Sequence, residues 1–338
     1  MSKILVTGGS GFVGSYILRH LIRKGYTGVS ATIRKNSDIS LIKDIEDKVT
    51  LIEADVTDTM ALENAIKGMD VVIHTAAVVS FKAKDRDKMM KINIEGTANV
   101  VNISIDENIK KLIHISSIAA LGRKESGKLI NEDVSWQTSK TNSDYAISKY
   151  LSEMEVWRGH AEGLPMAILN PSLIIGAGFW HRGTGELFSR VYKGLKYYTT
   201  GTNGFVDVRD VEKMTVALME SDINGQRFIC NSENMKLYDF FSKIALVFGK
   251  KPPQIKVSGL SLKIISQILN IISFLPGYDS NITAQSLRNA AFDSLYDNTK
   301  SKENIPDFDY IPIDKTVKDT CEAFVKSKED KKEYGLFL

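Results

Sequence analysis

Short apolar runs rich in β-branched residues alternate with longer stretches of helical periodicity through the first two thirds of the chain. The runs are 4–7, 28–33, 49–53, 71–75, 111–116, 166–170 and 227–231. Between the first two, Val13, Ile17, Leu18, Leu21 and Ile22 fall on one helical face, and Gly25 stands where a left-handed residue would close that helix. Strands alternating with helices are the pattern of parallel βαβ units, so the sequence predicts an α/β fold built on a doubly wound parallel sheet. The alternation breaks after Ile175 into a Gly-rich, aromatic stretch, 176–204. From Met235 the pattern is largely helical, punctuated by Pro252-Pro253, Pro276-Gly277 and Pro306. The expected organisation is a sheet domain over 1–175 plus 205–234, a smaller, mostly helical substrate lobe over 176–204 plus 235–325, and a charged tail over 326–338.

Composition adds limits. The chain has 338 residues, of which 43 % are hydrophobic and 25 % charged. That is globular rather than disordered, collagenous or coiled-coil. A net charge of +3 gives no nucleic-acid footprint. Cys230 and Cys321 lie far apart, which fits neither a disulfide framework nor a metal knuckle and suggests a reducing compartment. Met1-Ser2-Lys3 leads straight into the first apolar run with no signal-peptide segment, so a cytoplasmic protein is expected. Segment 260–275, interrupted by Lys263, Ser266, Gln267, Asn270 and Ser273, is too short and too polar to span a bilayer. A buried helix is the favoured reading, an interfacial helix the alternative.

The first run is followed by Thr7-Gly8-Gly9-Ser10-Gly11-Phe12-Val13-Gly14 and then by the amphipathic helix. A tight turn off a strand wants Gly8, a pyrophosphate approaches the backbone at Gly11, and Gly14 lets the helix pack close to the sheet. The helix N-terminus then presents free N–H groups and a positive dipole end. Dinucleotide binding follows. The residues after the second run are Arg34-Lys35, with no carboxylate before Asp38. An NAD site usually places an acid there, on the ribose 2′-hydroxyl, whereas a planar guanidinium suits a 2′-phosphate. Arg34, Lys35 and Ser37 therefore point to NADP, with NAD the alternative if these cations only solvate a loop.

Tyr145 and Lys149 are four residues apart in a helix-compatible segment and share a face. A phenol is a sluggish acid or base at neutral pH, and a neighbouring ammonium favours the phenolate, so Lys149 is expected to lower the Tyr145 pKa. A hydroxyl from Ser116-Ser117, where the fifth run ends, would hold a substrate oxygen beside that phenol. His20, His114 and His160 have no ligand partners at metal spacing, and no metal is expected.

These residues together resemble an extended short-chain dehydrogenase/reductase, within the NAD-dependent epimerase/dehydratase superfamily, and its dihydroflavonol reductase and 3β-hydroxysteroid dehydrogenase-like branch. The likeness covers 3–211. It rests on the glycine turn, Asp55-Val56, His74-Thr75-Ala76-Ala77, Asn93-Ile94-Glu95-Gly96-Thr97, Tyr145 to Lys149, the segment beginning Asn170-Pro171-Ser172 and ending at Gly176, and Phe205-Val206-Asp207-Val208-Arg209-Asp210-Val211. The resemblance implies a Rossmann fold with Tyr145 as acid/base, Lys149 on the nicotinamide ribose, and Ser117, five residues before Gly122, as the oxygen-positioning hydroxyl. Asn93 then either orders a water in a proton path or braces its helix. Cofactor contacts would come from Thr7, Gly8, Gly11, Phe12, Val13, Gly14, Asp55, Val56, Thr75, Ala76, Ala77, Asn170, Pro171 and Ser172, as well as Tyr145 and Lys149. Substrate contacts would come from Val78, Phe81, Ala119, Phe179, Trp180, His181, Phe205 and Arg209. The last of these, with Asp207 and Asp210, is also placed to tie the sheet to the second lobe.

The expected activity is NADP-dependent reduction of a carbonyl, or oxidation of the corresponding CH–OH group, in a small molecule for which the aromatic loop suggests apolar or aromatic character. A nucleotide-sugar epimerase with tightly held NAD is the alternative enzyme. A non-catalytic dinucleotide sensor or partner subunit is the alternative of another class. A dehydratase is disfavoured because Ser117-Ile118-Ala119 lacks the acid needed to eliminate water. The resemblance also raises a homodimer built from two helices of each subunit, although no stretch here marks such an interface.

Overall fold

The structure, a computed structural model, describes residues 2–122, 126–139, 142–259, 261, 262, 264, 265, 267, 283–306 and 308–337. Most of 260–275 lies outside them. Among the described residues, no helix is long and apolar enough to cross a membrane.

In chain order the main elements are β1 (Ile4–Thr7), α1 (Phe12–Arg23), β2 (Val29–Ile33), β3 (Thr50–Glu53), α2 (Thr59–Ile66), β4 (Val71–His74), α3 (Arg86–Met90), α4 (Gly96–Asp106), β5 (Lys111–Ile115) and β6 (Leu129–Ile130). They continue with α5 (Asp144–Ala161), β7 (Met166–Pro171), β8 (Leu173–Ile175), α6 (Gly185–Tyr192), β9 (Tyr197–Tyr198), β10 (Thr202–Asp207), α7 (Val208–Glu220), β11 (Gln226–Cys230), β12 (Glu233–Lys236), α8 (Leu237–Val247), β13 (Ile255–Lys256) and β14 (Leu295–Tyr296). Short helices at Ala284–Asn289 and Thr299–Asn304 flank β14, and a long C-terminal helix covers Ile313–Glu329.

All seven strand runs expected from the sequence join one parallel sheet, ordered β11-β7-β5-β4-β1-β2-β3. It is a Rossmann-like doubly wound sheet. One face is covered by α1 and α7 around Ile17, Leu21, Val211 and Met214, the other by α2, α4 and α5 around Leu62, Val100 and Val156. Burial on both faces is why these strands read as continuous apolar runs rather than alternating ones. The chain winds outward from β1 to β3 and then crosses back to β4, so the crevice at the carboxyl ends of β1 and β4 is the topological switch point.

Helix α1 ends as its sequence indicates. Gly25 has φ +87°, and Tyr26 N–H donates to the Leu21 carbonyl across it at 3.1 Å, closing a Schellman-type cap. Between α3 and α4 the helix passes through a π turn at Lys91–Glu95 that carries Asn93.

A second, three-stranded sheet orders β12-β10-β8, with β8 parallel and β12 antiparallel to the central β10. Phe205 of β10 is fully buried there, stacked on Phe240 of α8 at 4.5 Å. Chain order and packing therefore part company around residue 205: β10 pairs in the smaller sheet, whereas the α7 and β11 that follow belong to the large one. Two further parallel pairs, β9 with β13 and β6 with β14, join positions far apart in sequence.

The two sheets are held together at the start of α7. Asp207 caps that helix by accepting from Arg209 N–H at 2.7 Å, receives the Thr316 hydroxyl of the C-terminal helix at 2.7 Å, and pairs with Arg209, which reaches Asp319 at 2.8 Å. Asp210 accepts the Ile311 N–H at 2.9 Å, while its other carboxyl oxygen is buried without a hydrogen-bond partner. Beyond the C-terminal helix the chain turns back. Trp180 N–H donates to the Glu333 carbonyl at 3.0 Å, Gly335 N–H to the Gly178 carbonyl at 2.9 Å, and Phe337 N–H to the Tyr16 hydroxyl at 3.1 Å.

Burial pushes the Asp210 carboxyl up to about 7, with the Asp207 charge adding to the effect. A carboxyl that binds its proton more tightly when folded makes the native state the more protonated one between about pH 4 and 7, so stability falls as pH rises through that window. Asp210→Asn keeps the acceptor for Ile311. In chemical-denaturation titrations, wild-type stability relative to this variant is expected to be greatest near pH 4 and to decline by up to about 1.4 kcal/mol per pH unit toward pH 7. A pH-independent difference would remove Asp210 as the titrating group.

Candidate active site

Two adjoining cavities, of about 550 and 500 Å³, form one cleft over the switch point and share Gly8, Gly11, Phe12, Thr75, Ala77 and Thr184 on their walls. The first runs toward the ends of β2 and β3, the second toward β5, β7 and α5.

The glycine turn is shaped by close approach. Gly8 has φ +70°, and a Cβ there would lie 2.8 Å from Ala76 Cα. A Cβ on Gly14 would strike the turn itself, 2.9 Å from Gly9 Cα. Gly11 is the N-cap of α1 and offers no side-chain cap, so the first N–H groups of the helix are left for a ligand. Beneath the turn Thr7 is buried, its hydroxyl 2.7 Å from His74 Nδ1. The Thr97 hydroxyl donates to the Asn93 carbonyl at 2.6 Å, so it accepts from His74 Nε2 at 3.0 Å, which leaves Nδ1 to accept from Thr7. Burial holds His74 down to about 3, so this brace is neutral.

At the far end of the first cavity stand Arg34, Asn36, Ser37 and Asp38 from the loop after β2, with Asp55 and Val56 beyond β3. The Arg34 backbone N–H donates to the Ser37 hydroxyl at 2.9 Å. Asp55 accepts both the Thr57 N–H at 2.9 Å and the Thr57 hydroxyl at 2.7 Å. These bonds, with the Arg34 and Lys91 charges, outweigh burial and hold its carboxyl below the ordinary range. Thr75, Ala76, Ala77 and Val78 form the floor, and Phe179 closes the top.

The second cavity holds the chemical groups. Helix α5 begins with Ser143 capping the Ala146 N–H at 2.9 Å, which sets Tyr145 in its first turn and Lys149 one turn on, both on the cavity wall. Ser117, at the end of β5, caps a short 3-10 turn through Ala119 N–H at 3.1 Å and lies on the same cavity wall as Tyr145. Ser116 points the other way, into Glu153 at 2.7 Å. Lys149 donates to the Ile115 carbonyl at 2.9 Å. Burial lowers its ammonium to about 8 against the opposing pull of Glu153. The expected lowering of the phenol by Lys149 is corrected here. Burial dominates and raises Tyr145, Ser117 alone is resolved as opposing it, and the ammonium is engaged with a backbone carbonyl.

Glu153, one turn below Lys149, has no solvent exposure, yet it gathers the site from behind. Its carboxylate receives Ser116 Oγ at 2.7 Å, Asn170 Nδ2 at 2.8 Å and Arg227 Nη1 at 3.0 Å. Asn170 Nδ2 also donates to the Ser117 carbonyl at 3.0 Å. A buried polar group needs such partners, and together they tie the ends of β5 and β7 and the start of β11 to α5.

The cleft gathers most of the expected contacts: Gly8, Gly11, Phe12, Val13, Gly14, Arg34, Ser37, Asp55, Val56, Thr75, Ala76, Ala77, Val78, Phe81, Ser117, Ala119, Tyr145, Lys149, Pro171, Ser172 and Phe179. Lys35 is exposed and off the wall. Asn93 and Asn170 lie behind it. Asn93 exchanges hydrogen bonds with the Val78 backbone at 2.7 and 2.9 Å and donates to the Ser148 hydroxyl at 3.0 Å, which makes it a brace. Four expected substrate contacts need correction. Trp180 is buried against Phe324, Phe205 lies in the core on Phe240, Arg209 is consumed by Asp207 and Asp319, and His181 faces outward 3.8 Å from Glu333. Composition alone does not distinguish an aromatic in a core from one on a cavity wall. Trp136, Asn142, Asn203, Asn289, Phe292 and Tyr296 line the second cavity instead, and Arg182 lines the first. Their segments carry no motif, so nothing in the sequence marked them.

A dinucleotide fits this cleft. The glycines leave the volume that a Cβ would fill, the α1 N-terminus is uncapped, and Ser172 Oγ, on the wall of the second cavity, is buried with no hydrogen-bond partner.

Comparison with known proteins agrees with the geometry. The model of the NAD-dependent epimerase/dehydratase family matches residues 4–230, and the chain belongs to that family. It is 30 % identical over 258 residues to a putative dihydroflavonol 4-reductase of Synechocystis, covering 74 % of this chain and 73 % of that one. It is 26 % identical over 273 residues to cinnamoyl-CoA reductase 1 of Petunia hybrida, covering 76 % and 81 %. The UDP-glucose 4-epimerase of Thermotoga maritima shares the fold with a TM-score of 0.78 at 21 % identity, over 96 % of this chain and 99 % of that chain. The protein is an NAD(P)-dependent enzyme of the extended short-chain dehydrogenase/reductase type.

Glu153→Gln tests the support behind the wall. It leaves the Arg227 guanidinium without its counter-charge and is expected to cost about 3–5 kcal/mol in denaturant unfolding. A cost near zero would show that the Glu153 carboxylate does not hold the strand ends together.

Proposed function

We propose that the protein is an NADP-dependent oxidoreductase that reduces a carbonyl, or oxidises the matching alcohol, of a small apolar or aromatic molecule, with Tyr145 as the acid/base. The observation that carries this reading is the convergence of Ser117, Tyr145 and Lys149 on the wall of one largely apolar cavity. When bound, the nicotinamide supplies or accepts the hydride. Tyr145 holds the proton at its phenol oxygen: because burial raises its pKa, it stays protonated at neutral pH and is set to donate to a substrate oxygen as negative charge develops there. Ser117, on the same wall, offers a hydroxyl that would orient that oxygen beside the phenol. Phe81, whose ring meets Tyr145 edge-on at 5.7 Å, helps keep water from it.

The substrate end supports an uncharged molecule. Among the described lining residues of the second cavity Lys149 is the sole cation, and the rest of the wall combines Leu121, Ile130, Leu173, Phe292 and similar side chains with uncharged hydroxyls and a few amides. A nucleotide sugar brings a diphosphate, and burying its charge without cationic partners is costly. The preference for NADP rests on Arg34 and Ser37 at the ribose end, where an NAD site would place a carboxylate.

The test starts with freshly purified protein. Nucleotide released on denaturation is identified, and the emptied protein is titrated with NADPH and NADH by fluorescence. Exchangeable, NADPH-preferring binding is expected. Tightly retained NAD would overturn the reading in favour of an epimerase. In assays with aromatic and aliphatic aldehydes and ketones, Tyr145→Phe is expected to lose more than about 100-fold in kcat while NADPH affinity stays within about twofold. Unchanged turnover would remove Tyr145 from the chemistry.

A further inference from the structure

The first cavity carries a second guanidinium that comes from outside the nucleotide-binding strands. Arg182 lies in the loop between β8 and α6, and its guanidinium stacks 3.7 Å from the centroid of the Phe179 ring. Phe179 is buried, so the ring is a fixed platform. From there the guanidinium reaches Asp38 across the mouth of the cavity at 3.8 Å. Asp38 is itself anchored, accepting the Ser40 N–H at 2.9 Å and the Ser40 hydroxyl at 2.6 Å. Among the described lining residues, Arg34 and Arg182 are the two cations of this cavity, and Asp38 and Asp55 its two anions.

The loop that presents Arg182 is fastened rather than free. Phe179 forms a β-bridge with Tyr334, and the Trp180 and Gly335 backbone bonds to Glu333 and Gly178 flank it. A cation held by a ring stack and a long ion pair, on the wall of the cavity that Arg34, Asn36 and Ser37 also line, is preorganised for an anion that enters that cavity. Asp38 alone would repel a phosphate from this end of the cleft, and Arg182 offsets that charge until the ligand takes over the guanidinium.

We propose that Arg182 supplies the second cation for the 2′-phosphate of NADP, from a loop outside the strands that bind the rest of the dinucleotide. The proposal rests on the NADP reading above and assigns to this site a specificity residue from that loop.

The test is equilibrium binding to the full chain, emptied of nucleotide. NADPH, NADH and adenosine 2′,5′-bisphosphate are titrated into the wild type, Arg182→Ala, Arg182→Lys and Arg34→Ala. Arg182→Ala is expected to weaken NADPH and the bisphosphate by about tenfold while NADH stays within about twofold, the loss of one charge-assisted contact to a phosphate. Arg182→Lys, which keeps the charge but not the planar stack, is expected to fall between. An equal loss for NADPH and NADH in Arg182→Ala, or no loss for either, overturns the assignment while leaving the NADP reading intact. A wild type that binds NADH more tightly than NADPH, with Arg34→Ala changing neither, overturns the NADP reading and the proposal with it.

Discussion

A carboxylate removed from water must be met by donors on every side, and the chemical end of this cleft is organised around that requirement. Glu153 contacts no solvent and is met by Ser116, Asn170 and Arg227. Those partners come from the ends of β5 and β7 and the start of β11, so satisfying one buried group ties three strands to α5. Ser117 then faces Tyr145 because its neighbour Ser116 is drawn the other way. Lys149, one helical turn above Glu153, is held in the same frame through the Ile115 carbonyl. The proposed reacting groups lie at the surface of a network whose members mostly never touch a ligand.

The cofactor end obeys a different constraint, that of space. The backbone of the first turn, the floor at Ala76 and the start of α1 approach so closely that a side chain at Gly8 or Gly14 has nowhere to go. The neutral Thr7–His74–Thr97 chain below keeps β1, β4 and α4 in register beneath that turn. Charge enters at the rim, where Arg34, Arg182, Asp38 and Asp55 line the cavity and where the proposed reading puts the selection between phosphorylated and unphosphorylated ribose. Electrostatics at the edge and sterics at the centre divide the recognition of one long ligand.

The sheet was legible in the sequence because strands covered on both faces become uninterrupted apolar runs, and the turn because its glycines follow a strand and precede an amphipathic helix. The smaller sheet and the paired β6 and β14 were not, since pairs of two residues joined across more than 150 positions leave no periodic trace. Phe205 and Trp180 show the limit for site residues. Both are aromatic and both were expected to contact substrate, yet one fills the core against α8 and the other packs on Phe324. Trp136 and Phe292 were invisible for the opposite reason, as they reach the cavity from segments that nothing local marks. Asn93 was placed correctly on its helix, but the π turn that directs its amide toward the Val78 backbone has no signature in composition.

The strap formed by Glu333 to Phe337 has a consequence for the order in which the protein becomes competent. Its bond from Phe337 to Tyr16 joins positions 321 residues apart, across nearly the whole length of the chain. On the ribosome, all seven strands of the large sheet are complete at Cys230, about a hundred residues before that strap is synthesised. A nascent chain can thus possess its nucleotide-binding turn while the loop bearing Phe179 and Arg182 is still unfastened. The wall that carries Phe179 and Arg182 cannot be fastened to 333–337 until those residues have been made.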